Sequence, residues 1–486
     1  MMESKESGIL ERISKGQVDL VDALSVPTKN KLINVAGYLL NRSIGNKELA
    51  INILSNLKLE DIYLNVRLRR HVARNMSKVL STIKDVKQGN QCRELLTRYI
   101  NIVKILGSGS FGEVSICSLV DKSSIYGRFP FALKMAKIMK GTTDENHIAK
   151  LINRLVLNSI AQNLPILFDT YYCDKCNFKS KTIVGKVSKC TFSISEIATA
   201  GDMVGWLRTN PPENELDSAI FQIMAGLHAL QYHYGIMNND IKAENILIYN
   251  VNRGGYWKYT IYGRDFYVPN YGKLFVVNDF GVSQIFFPQF KEQKVIARED
   301  LGTRLFVIRD DRLEPLNTPF LKAGKNQVQS AVIQWDQPPT TTYVNNTYFE
   351  TKKKQLINIP VLNQSQKDFI IYDSNDLRFY GSSVVPPLEF MSDTQDAIRI
   401  FTGGKRMSQG FVHRTFEISP SFKSKLNDYA IPKDMSYIAF LIDKSTKSSN
   451  LSKILAGYFI LDYFTRNTNY TRPVDRDLII SSIRTS

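Results

Sequence analysis

Three polar residues in the middle of the chain have the types and spacing that phosphoryl transfer requires. Asp240 and Asn245 lie five positions apart in the run Asn-Asp-Ile-Lys-Ala-Glu-Asn, and Asp279 follows in the run Asn-Asp-Phe-Gly. One carboxylate can orient a hydroxyl nucleophile, while an asparagine and a second carboxylate can hold the magnesium ions that neutralise the moving phosphate. Each run alone is a short pattern, so the prediction depends on their order and separation.

A glycine-rich segment upstream predicts a binding site for nucleotide phosphates. Gly107, Gly109 and Gly112 occur in the run Gly-Ser-Gly-Ser-Phe-Gly-Glu-Val, between two segments of β-forming residues. Glycines let backbone amides approach phosphate oxygens closely. A dinucleotide-binding turn uses a similar string but requires a helix after it. Because β-forming residues follow here, the pattern favours a strand–loop–strand lid over the phosphates.

A lysine ends the next apolar segment. Lys134 closes the run Phe-Ala-Leu-Lys, a short distance after the glycines. By itself, a lysine at the end of a strand is expected to extend its ammonium group into solvent. Its position after the glycine loop instead predicts that the ammonium group pairs with nucleotide phosphates.

The order of these motifs resembles that of eukaryotic-type protein kinases from about residue 98 onward. A helical prefix, an enlarged hairpin and an eroded activation segment make the chain similar to kinases of large DNA viruses of the iridovirus type. The resemblance implies an α+β, bilobal kinase-like fold. The domains expected are residues 1–97 as a helical extension without chemistry of its own, 98–198 as a β-rich small lobe and 199–486 as a helical large lobe, with insertions at about 251–272 and 310–375.

The resemblance also implies roles for individual residues. Asp240 corresponds to the catalytic base, and Asn245 and Asp279 correspond to the two magnesium ligands. Lys242 corresponds to the lysine that contacts the transferred phosphate, which favours serine or threonine substrates over tyrosine. The positions implied to bind ATP are Gly107, Ser108, Gly109, Ser110, Phe111, Gly112, Val114, Lys134, Glu196, Ala198 and Asp202.

The run Ser-Glu-Ile-Ala-Thr-Ala-Gly-Asp resembles the hinge that joins the two lobes of a kinase. On that match Ser195 is the gatekeeper, and Glu196 and Ala198 offer backbone groups to adenine. Asp202 is expected near the ribose. ATP and Mg²⁺ are the implied cofactors, with Mn²⁺ as an alternative to Mg²⁺ because the ligands are oxygen atoms.

Two asparagines stand where the kinase pattern has His-Arg before the catalytic aspartate. The arginine absent at Asn239 pairs with a phosphorylated activation loop in relatives, so its absence predicts activity without that switch. Asn238 is expected to replace the histidine by hydrogen bonding. After Asp279 no Ala-Pro-Glu occurs, and residues 301–304 resemble a remnant of the substrate-docking segment.

Two further positions of the kinase pattern are harder to assign. The apolar spacing of the expected helix puts Asn153 where a glutamate should pair with Lys134, and Glu145 lies early for that role. The aspartate that anchors the large lobe is either Asp376 or Asp393. Asp393 is preferred because a proline pair would end a helix that begins at Asp376.

Composition limits the partners and the compartment. The 486-residue chain carries a formal net charge of +17, which predicts acidic or nucleic-acid-associated protein partners. No nucleic-acid-binding motif accompanies the charge, so direct nucleic-acid binding is not expected. No apolar run is long enough to span a bilayer, and the first residues lack a signal-peptide core. A cytoplasmic protein is predicted, in the host cytoplasm if the chain is viral, with packaging into the virion as an alternative.

The cysteines predict ordinary thiols. Cys173 and Cys176 form a CxxC pair, and Cys190 follows. Five cysteines in a chain of this length indicate a reducing compartment rather than a disulfide framework. A structural zinc site needs four ligands, and no fourth ligand is obvious nearby.

Three functions compete on this pattern. An active Ser/Thr protein kinase is favoured because all five polar groups of the mechanism are present: Lys134, Asp240, Lys242, Asn245 and Asp279. The substitution at Asn153 and the eroded activation segment favour a pseudokinase scaffold. A small-molecule kinase of the same superfold is disfavoured by the complete glycine loop and the Asp-Phe-Gly motif.

Overall fold

A computed structural model places the chain in helices and separate β-sheets, which confirms the α+β class. The residues that it describes are 57–81, 98–108, 112–121, 126–137, 145–179, 184–281, 283–285, 294–298, 304–309, 312–315, 386–402, 418–431, 453 and 455–486.

Several sequence predictions fall outside the described residues. They concern three positions of the glycine loop (Gly109, Ser110 and Phe111), the rival anchor Asp376, residues 301–303 and most of the insertion at about 310–375. The side chains of Ser108 and Cys176 are likewise outside the description.

One long helix forms the centre of the helical part of the molecule. The described helices are α1 (Leu59–Leu64), α2 (Val66–Ser81), α3 (Glu145–Leu157), α4 (Met203–Leu207), α5 (Glu213–Tyr234), α6 (Pro386–Thr402), α7 (Pro420–Asn427) and α8 (Ala456–Asn467). α5 is buried on nearly all sides and packs against α3, α6 and α8. A helix with apolar residues all round belongs in a core. None of the described helices is long and apolar enough to cross a membrane.

An antiparallel sheet carries the glycine-rich segment. Its strands are β1 (Ile100–Ser108), β2 (Gly112–Leu119), β3 (Phe131–Lys137), β4 (Leu167–Lys179) and β5 (Val184–Ser195), in the spatial order β1-β2-β3-β5-β4. Residues of β2 alternate between buried and half-buried, which is the period of a strand with one covered face. Gly107 pairs with Val114 across β1 and β2, so the glycine segment links two strands as a hairpin.

The remaining strands lie mostly between and after the catalytic motifs. They are β6 (Ile236–Met237), β7 (Ile246–Asn250), β8 (Tyr256–Ile261), β9 (Arg264–Pro269), β10 (Lys273–Val277), β11 (Gln284–Ile285), β12 (Lys294–Arg298), β13 (Arg304–Arg309), β14 (Arg312–Pro315) and β15 (Ile479–Arg484). β8 and β9 form a hairpin inside the predicted insertion at about 251–272. β15 pairs with β8 in parallel, so the last strand returns to this hairpin.

Two cysteines of the five-stranded sheet are joined. Cys173 of β4 and Cys190 of β5 are directly opposite each other and form a disulfide. The prediction of ordinary thiols is therefore wrong for this pair, because the hairpin brings together two cysteines whose register the sequence does not reveal. Among the described residues, no group of three His, Cys, Asp or Glu side chains is arranged to hold a metal ion.

The disulfide should make the stability of the protein depend on reductant. Closing a loop of this length is worth about 3 kcal/mol through the entropy of the unfolded chain. We expect a reductant to lower the melting temperature of the wild type by several degrees, and a Cys173→Ala/Cys190→Ala variant not to respond. Cys117→Ala is the matched control, because Cys117 is buried but unpaired. Alkylation of both Cys173 and Cys190 in protein unfolded without reductant would contradict the disulfide.

A buried carboxyl group lies where α5 meets α8. The Asp217 side chain accepts a hydrogen bond of 2.9 Å from the Tyr463 hydroxyl. Burial raises the pKa of Asp217 to about 6, while the hydrogen bond from Tyr463 and the charge of Lys425 only partly oppose that rise. Folding therefore makes this side chain easier to protonate than it is in the unfolded chain.

The raised pKa of Asp217 predicts a pH-dependent effect of Asp217→Asn. Its contribution to stability is fully present below the pKa of an unfolded aspartate and is lost as pH rises through about 6. The pKa rises by about two units, from 3.8 to about 6, and one unit corresponds to about 1.4 kcal/mol. The stability of Asp217→Asn relative to the wild type should therefore be higher at pH 8 than at pH 4 by roughly 3 kcal/mol. Denaturant unfolding from pH 4 to 8 measures this, with exposed Asp428→Asn as the control. An effect of equal size at both ends of that range would contradict it.

Candidate active site

The Lys134 ammonium group lies between two carboxylates. Its Nζ donates to Glu145 Oε1 at 2.7 Å and to Oε2 at 3.0 Å, and Asp279 Oδ1 is 3.6 Å away. Lys134 is in the middle of β3, and Glu145 is the first residue of α3. The ion pairs therefore tie the sheet to α3 and to the Asp-Phe-Gly segment at one point.

The charge of Lys134 is maintained by these neighbours. Burial lowers the pKa of Lys134, but the Glu145 and Asp279 carboxylates raise it by more, so the net shift is upward. The side chain therefore remains a cation at neutral pH. A cation held at this place suits the recognition of phosphate groups.

The expectation that Asn153 takes the place of the pairing glutamate is wrong. Asn153 Nδ2 donates to the Leu167 carbonyl at 2.6 Å, and its Oδ1 accepts from the Leu167 amide at 2.8 Å. Asn153 therefore ties α3 to the start of β4, away from Lys134. α3 begins at Glu145, so its first turn faces the lysine. An acidic residue at the start of a helical pattern was the signal that could have identified Glu145.

The segment around Asp240 brings its predicted side chains together. Lys242 Nζ is 2.6 Å from Asp240 Oδ2. The Asn245 amide donates to the Asp240 carbonyl at 2.9 Å and to Asp240 Oδ2 at 2.8 Å. The short 3₁₀ turn Ala243–Asn245 makes this return possible. The carboxylate of Asp240 is thus held by an ammonium group and an amide.

The Asp-Phe-Gly segment lies directly beside this loop. The Asn278 amide donates to the Asn245 carbonyl at 2.9 Å. Asp279 has a φ of +59°, in the left-handed region that is uncommon for residues other than glycine. Its side chain is 41% exposed, and the Gly281 amide approaches its Oδ1 at 3.4 Å. The carboxylate therefore faces the open side of the site.

Asn238 connects the two segments, as the hydrogen-bonding interpretation predicted. Its Oδ1 accepts from the Asp240 amide at 3.0 Å, and its Nδ2 donates to the Asp279 carbonyl at 3.0 Å. The side chain is completely buried. An amide side chain that both donates and accepts can fix two backbones relative to each other.

Asp393 of α6 anchors the loop, which confirms the preferred assignment. Its Oδ2 accepts from the Asn238 amide at 2.6 Å, and its Oδ1 accepts from the Asn239 amide at 3.0 Å. Asp393 is fully buried. Asn239 adopts a φ of +67°, which the two bonds to Asp393 help to stabilise.

Removing this anchor should destabilise the fold. Asp393→Ala would leave two backbone N–H groups without their acceptor, at a cost of roughly 1–3 kcal/mol each when buried. We expect a loss of about 2–4 kcal/mol, and a smaller loss for Asp393→Asn, which retains one acceptor oxygen. Denaturant unfolding measures both variants. Asp396→Asn is the control, because Asp396 is also buried in α6 but pairs with Arg399 at 3.2 Å. Equal effects at both positions would contradict the anchoring role.

The described glycines of the loop meet different surroundings. A Cβ atom at Gly112 would lie 2.1 Å from the Met135 carbonyl oxygen, so only glycine fits there. A Cβ atom at Gly107 would have no neighbour within 4 Å. Val114 pairs with Lys134 across β2 and β3. Directly opposite residues project from the same face of a sheet, so Val114 and Lys134 line one surface beneath the hairpin.

The predicted hinge directly follows β5. The Glu196 amide donates to the Ile166 carbonyl at 3.1 Å, and the Ser195 hydroxyl lies 3.4 Å from the Glu196 carbonyl. Within the described part of the chain, the Ala198 backbone makes no hydrogen bond. The Glu196 carbonyl and the Ala198 amide are the backbone groups that the resemblance to kinases assigns to adenine.

Asp202 lies at the other end of this segment. Its Oδ1 accepts from the Gly205 amide at 3.0 Å and caps α4. Asp202 also forms a β-bridge with Leu247, two positions after Asn245. The hinge therefore ends next to the Asp240 loop, where a ribose between adenine and phosphates would lie.

The donor chemistry of the site fits a magnesium nucleotide. Asn245 and Asp279 offer an amide oxygen and a carboxylate, the oxygen ligands that Mg²⁺ prefers. Lys134 supplies a cation for the phosphates, and the open space at Gly107 allows phosphate to approach the backbone.

Comparison with known proteins finds similarity to several protein kinases. The chain is 26% identical over 352 residues to "Probable serine/threonine-protein kinase 380R" of Invertebrate iridescent virus 6, covering 68% of this chain and 62% of that protein. It is 30% identical over 347 residues to "Putative serine/threonine-protein kinase 019R" of Frog virus 3, covering 64% of this chain and 38% of that protein. Over 166 residues it is 26% identical to protein kinase C epsilon type of Rattus norvegicus, covering 34% of this chain and 20% of that protein.

No family model matches the chain. The match spans less than two thirds of the length of both viral relatives. The chain is thus similar to the Ser/Thr protein kinases of iridovirus-type large DNA viruses, as its motifs predict.

Proposed function

We propose that the protein is an ATP- and Mg²⁺-dependent Ser/Thr protein kinase, which transfers the γ-phosphate of ATP to serine or threonine hydroxyls of proteins. The observation that carries this proposal is the 2.7 Å ion pair between Lys134 and Glu145, with Asp279 at 3.6 Å. In protein kinases this lysine–glutamate pair and the Asp-Phe-Gly aspartate must both be in place for transfer.

Asp240 and Lys242 serve the reacting groups in this mechanism. The substrate hydroxyl oxygen bonds to the γ-phosphorus as the bond to the bridging oxygen of the β-phosphate breaks, and Asp240 accepts the hydroxyl proton. The Lys242 ammonium group, which is 2.6 Å from Asp240 Oδ2, would contact the transferred phosphate. Mg²⁺ bound by Asn245 and Asp279 would supply positive charge to the phosphate oxygens.

The bilobal arrangement belongs to the same proposal. The five-stranded sheet with α3 corresponds to the small lobe at 98–198, and the helices around α5 correspond to the large lobe at 199–486. ATP would lie between them, against the Glu196 and Ala198 backbone. Residues 1–97 form the N-terminal extension, of which 57–81 are helical for most of their length.

Activity without a phosphorylated activation loop is the proposed mode of control. Asn239 occupies the place of the arginine that reads such a phosphate, and its amide is already held by Asp393 at 3.0 Å. The loop geometry therefore depends on an internal carboxylate that is part of α6 rather than on a modification.

The proposed substrates are proteins with acidic or nucleic-acid-associated surfaces, because the net charge of +17 favours acidic partners. The proposed location is the host cytoplasm, with the virion as an alternative. A pseudokinase scaffold remains the rival function. Its main support was the asparagine at position 153, and that support is lost because Glu145 makes the pair with Lys134.

Phosphate transfer from labelled ATP to a mixed protein panel tests the proposal. We expect Asp240→Asn and Asp279→Asn to reduce labelling of serine and threonine by roughly 10²- to 10⁴-fold, the usual contribution of a positioned acid or base. Asp265→Asn is the control, since Asp265 pairs with Lys258 in the β8–β9 hairpin.

Three outcomes of this assay are informative. Labelling that persists unchanged in the Asp240 and Asp279 variants overturns the assignment. A wild type that binds Mg·ATP in a thermal-shift measurement but labels nothing is a pseudokinase. Loss of labelling in the two variants, with the Asp265 variant unchanged, supports the kinase.

A further inference from the structure

We propose that Arg69, which lies in the N-terminal helices and outside every kinase motif, is a positioning residue for nucleotide binding. Through Glu196 it holds the hinge in the geometry that presents backbone groups to adenine. This inference rests on the proposed kinase function and names how a segment outside the kinase region serves the same site.

Arg69 and Glu196 form a bidentate ion pair. Arg69 Nε donates to Glu196 Oε1 at 2.7 Å, and Nη2 donates to Oε2 at 2.6 Å. The remaining N–H groups reach the backbone carbonyls of Gln162 and Leu164, both at 2.5 Å. Glu196 Oε2 also accepts from the Ile166 amide at 2.9 Å. The guanidinium group therefore joins α2 to the hinge and to the segment before β4.

Burial of the Arg69–Glu196 ion pair restricts its geometry. Arg69 is 0% exposed and Glu196 is 5% exposed. A buried charge is tolerated only with a partner of opposite charge and good geometry, and a bidentate guanidinium–carboxylate pair fixes direction as well as distance. Burial lowers the pKa of Arg69, but Glu196 raises it by more, so the arginine stays charged. The Glu196 side chain thus has one well-defined position.

A second bond holds the next hinge residue. The Tyr63 hydroxyl of α1 donates to the Ile197 carbonyl at 3.0 Å, and both residues are buried. The bonds from Arg69 and Tyr63 therefore hold the consecutive hinge residues Glu196 and Ile197 against α2 and α1. Under the proposed function, this leaves the Ala198 backbone, which makes no hydrogen bond within the described residues, to contact adenine.

Helices α1 and α2 together contact the chain segments that precede and follow the hinge. The Trp257 indole of β8 donates to the Leu64 carbonyl at 3.2 Å. On the other side, the Ser77 hydroxyl of α2 donates to the Phe168 carbonyl of β4 at 2.7 Å. α1 and α2 therefore contact the segments before and after the hinge, and Arg69 lies between those contacts.

The test compares two buried tyrosines in the full-length protein. Tyr63→Phe removes the hydroxyl bond to Ile197 in the hinge. Tyr171→Phe is the matched control, because its hydroxyl donates to the Leu80 carbonyl of α2 at 3.1 Å, away from the hinge. We expect Tyr63→Phe to weaken Mg·ADP binding and to raise KM for ATP about three- to ten-fold, the worth of one hydrogen bond. In Tyr63→Phe, KM for the protein substrate should not change. In Tyr171→Phe, ADP binding should not change.

The ion pair is tested by a double variant. Arg69→Met/Glu196→Met replaces both charges with apolar side chains, and such exchanges often keep a protein folded. We expect this variant to unfold cooperatively but to bind Mg·ADP at least five-fold more weakly than the wild type. A merely structural role would change the melting temperature and leave nucleotide affinity unaltered in the folded protein.

The outcomes separate this inference from the proposed function. Equal ADP affinity in the wild type, Tyr63→Phe and the double variant overturns the positioning role alone. A wild type that binds ADP without phosphotransfer overturns the kinase and leaves the positioning role to be decided by the ADP affinities. A wild type that binds no ADP overturns both.

Discussion

The catalytic site depends on one buried carboxylate, that of Asp393. It accepts hydrogen bonds from two consecutive backbone amides, those of Asn238 and Asn239. These bonds offset the conformational cost of the left-handed backbone at Asn239 and so fix the loop. Asn238 then passes this constraint on, because its side chain bonds both to the Asp240 amide and to the Asp279 carbonyl. Hydrogen bonds in a buried network are strengthened by the low local dielectric. The positions of Asp240 and of the Asp-Phe-Gly segment therefore depend on a residue of α6.

The charges in the cleft are arranged in pairs that a nucleotide can enter. Lys134 pairs with Glu145, and Lys242 pairs with Asp240. All four side chains are about one third exposed, so these pairs are screened by water and are individually weak. Each pair restrains the position of its lysine ammonium group but is weak enough to be exchanged for another anion. Under the proposed function, phosphate groups would compete for these lysines at little cost, and the lysines would already be positioned for phosphoryl transfer.

Sequence alone predicted the residues whose chemistry is encoded locally. Asp240, Asn245 and Asp279 are recognisable because their motifs are short and ordered, and Lys134 because it follows the glycine segment. Glu145 was judged to lie too early for the pairing role, since the apolar spacing of the helix pointed to Asn153 instead. The disulfide escaped prediction because it depends on the register of β4 and β5. Arg69 escaped it as well, because it belongs to no motif and its partner Glu196 is 127 residues away.

The elements that depart from the kinase pattern form one connected structure. The N-terminal helices, the β8–β9 insertion and the last strand β15 contact one another behind the hinge: Trp257 bonds to Leu64, and Asn65 approaches the Ile480 carbonyl at 3.4 Å. β8 lies between β9 and β15, so the insertion completes its sheet only with the end of the chain. Trp257 and Tyr249 are fully buried, and exposing such large aromatic side chains would cost several kcal/mol. Removing any one of the three elements would therefore expose buried apolar surface on the other two. Under the proposed function, their common position next to Glu196 is how a helical prefix without catalytic residues would act on the nucleotide site.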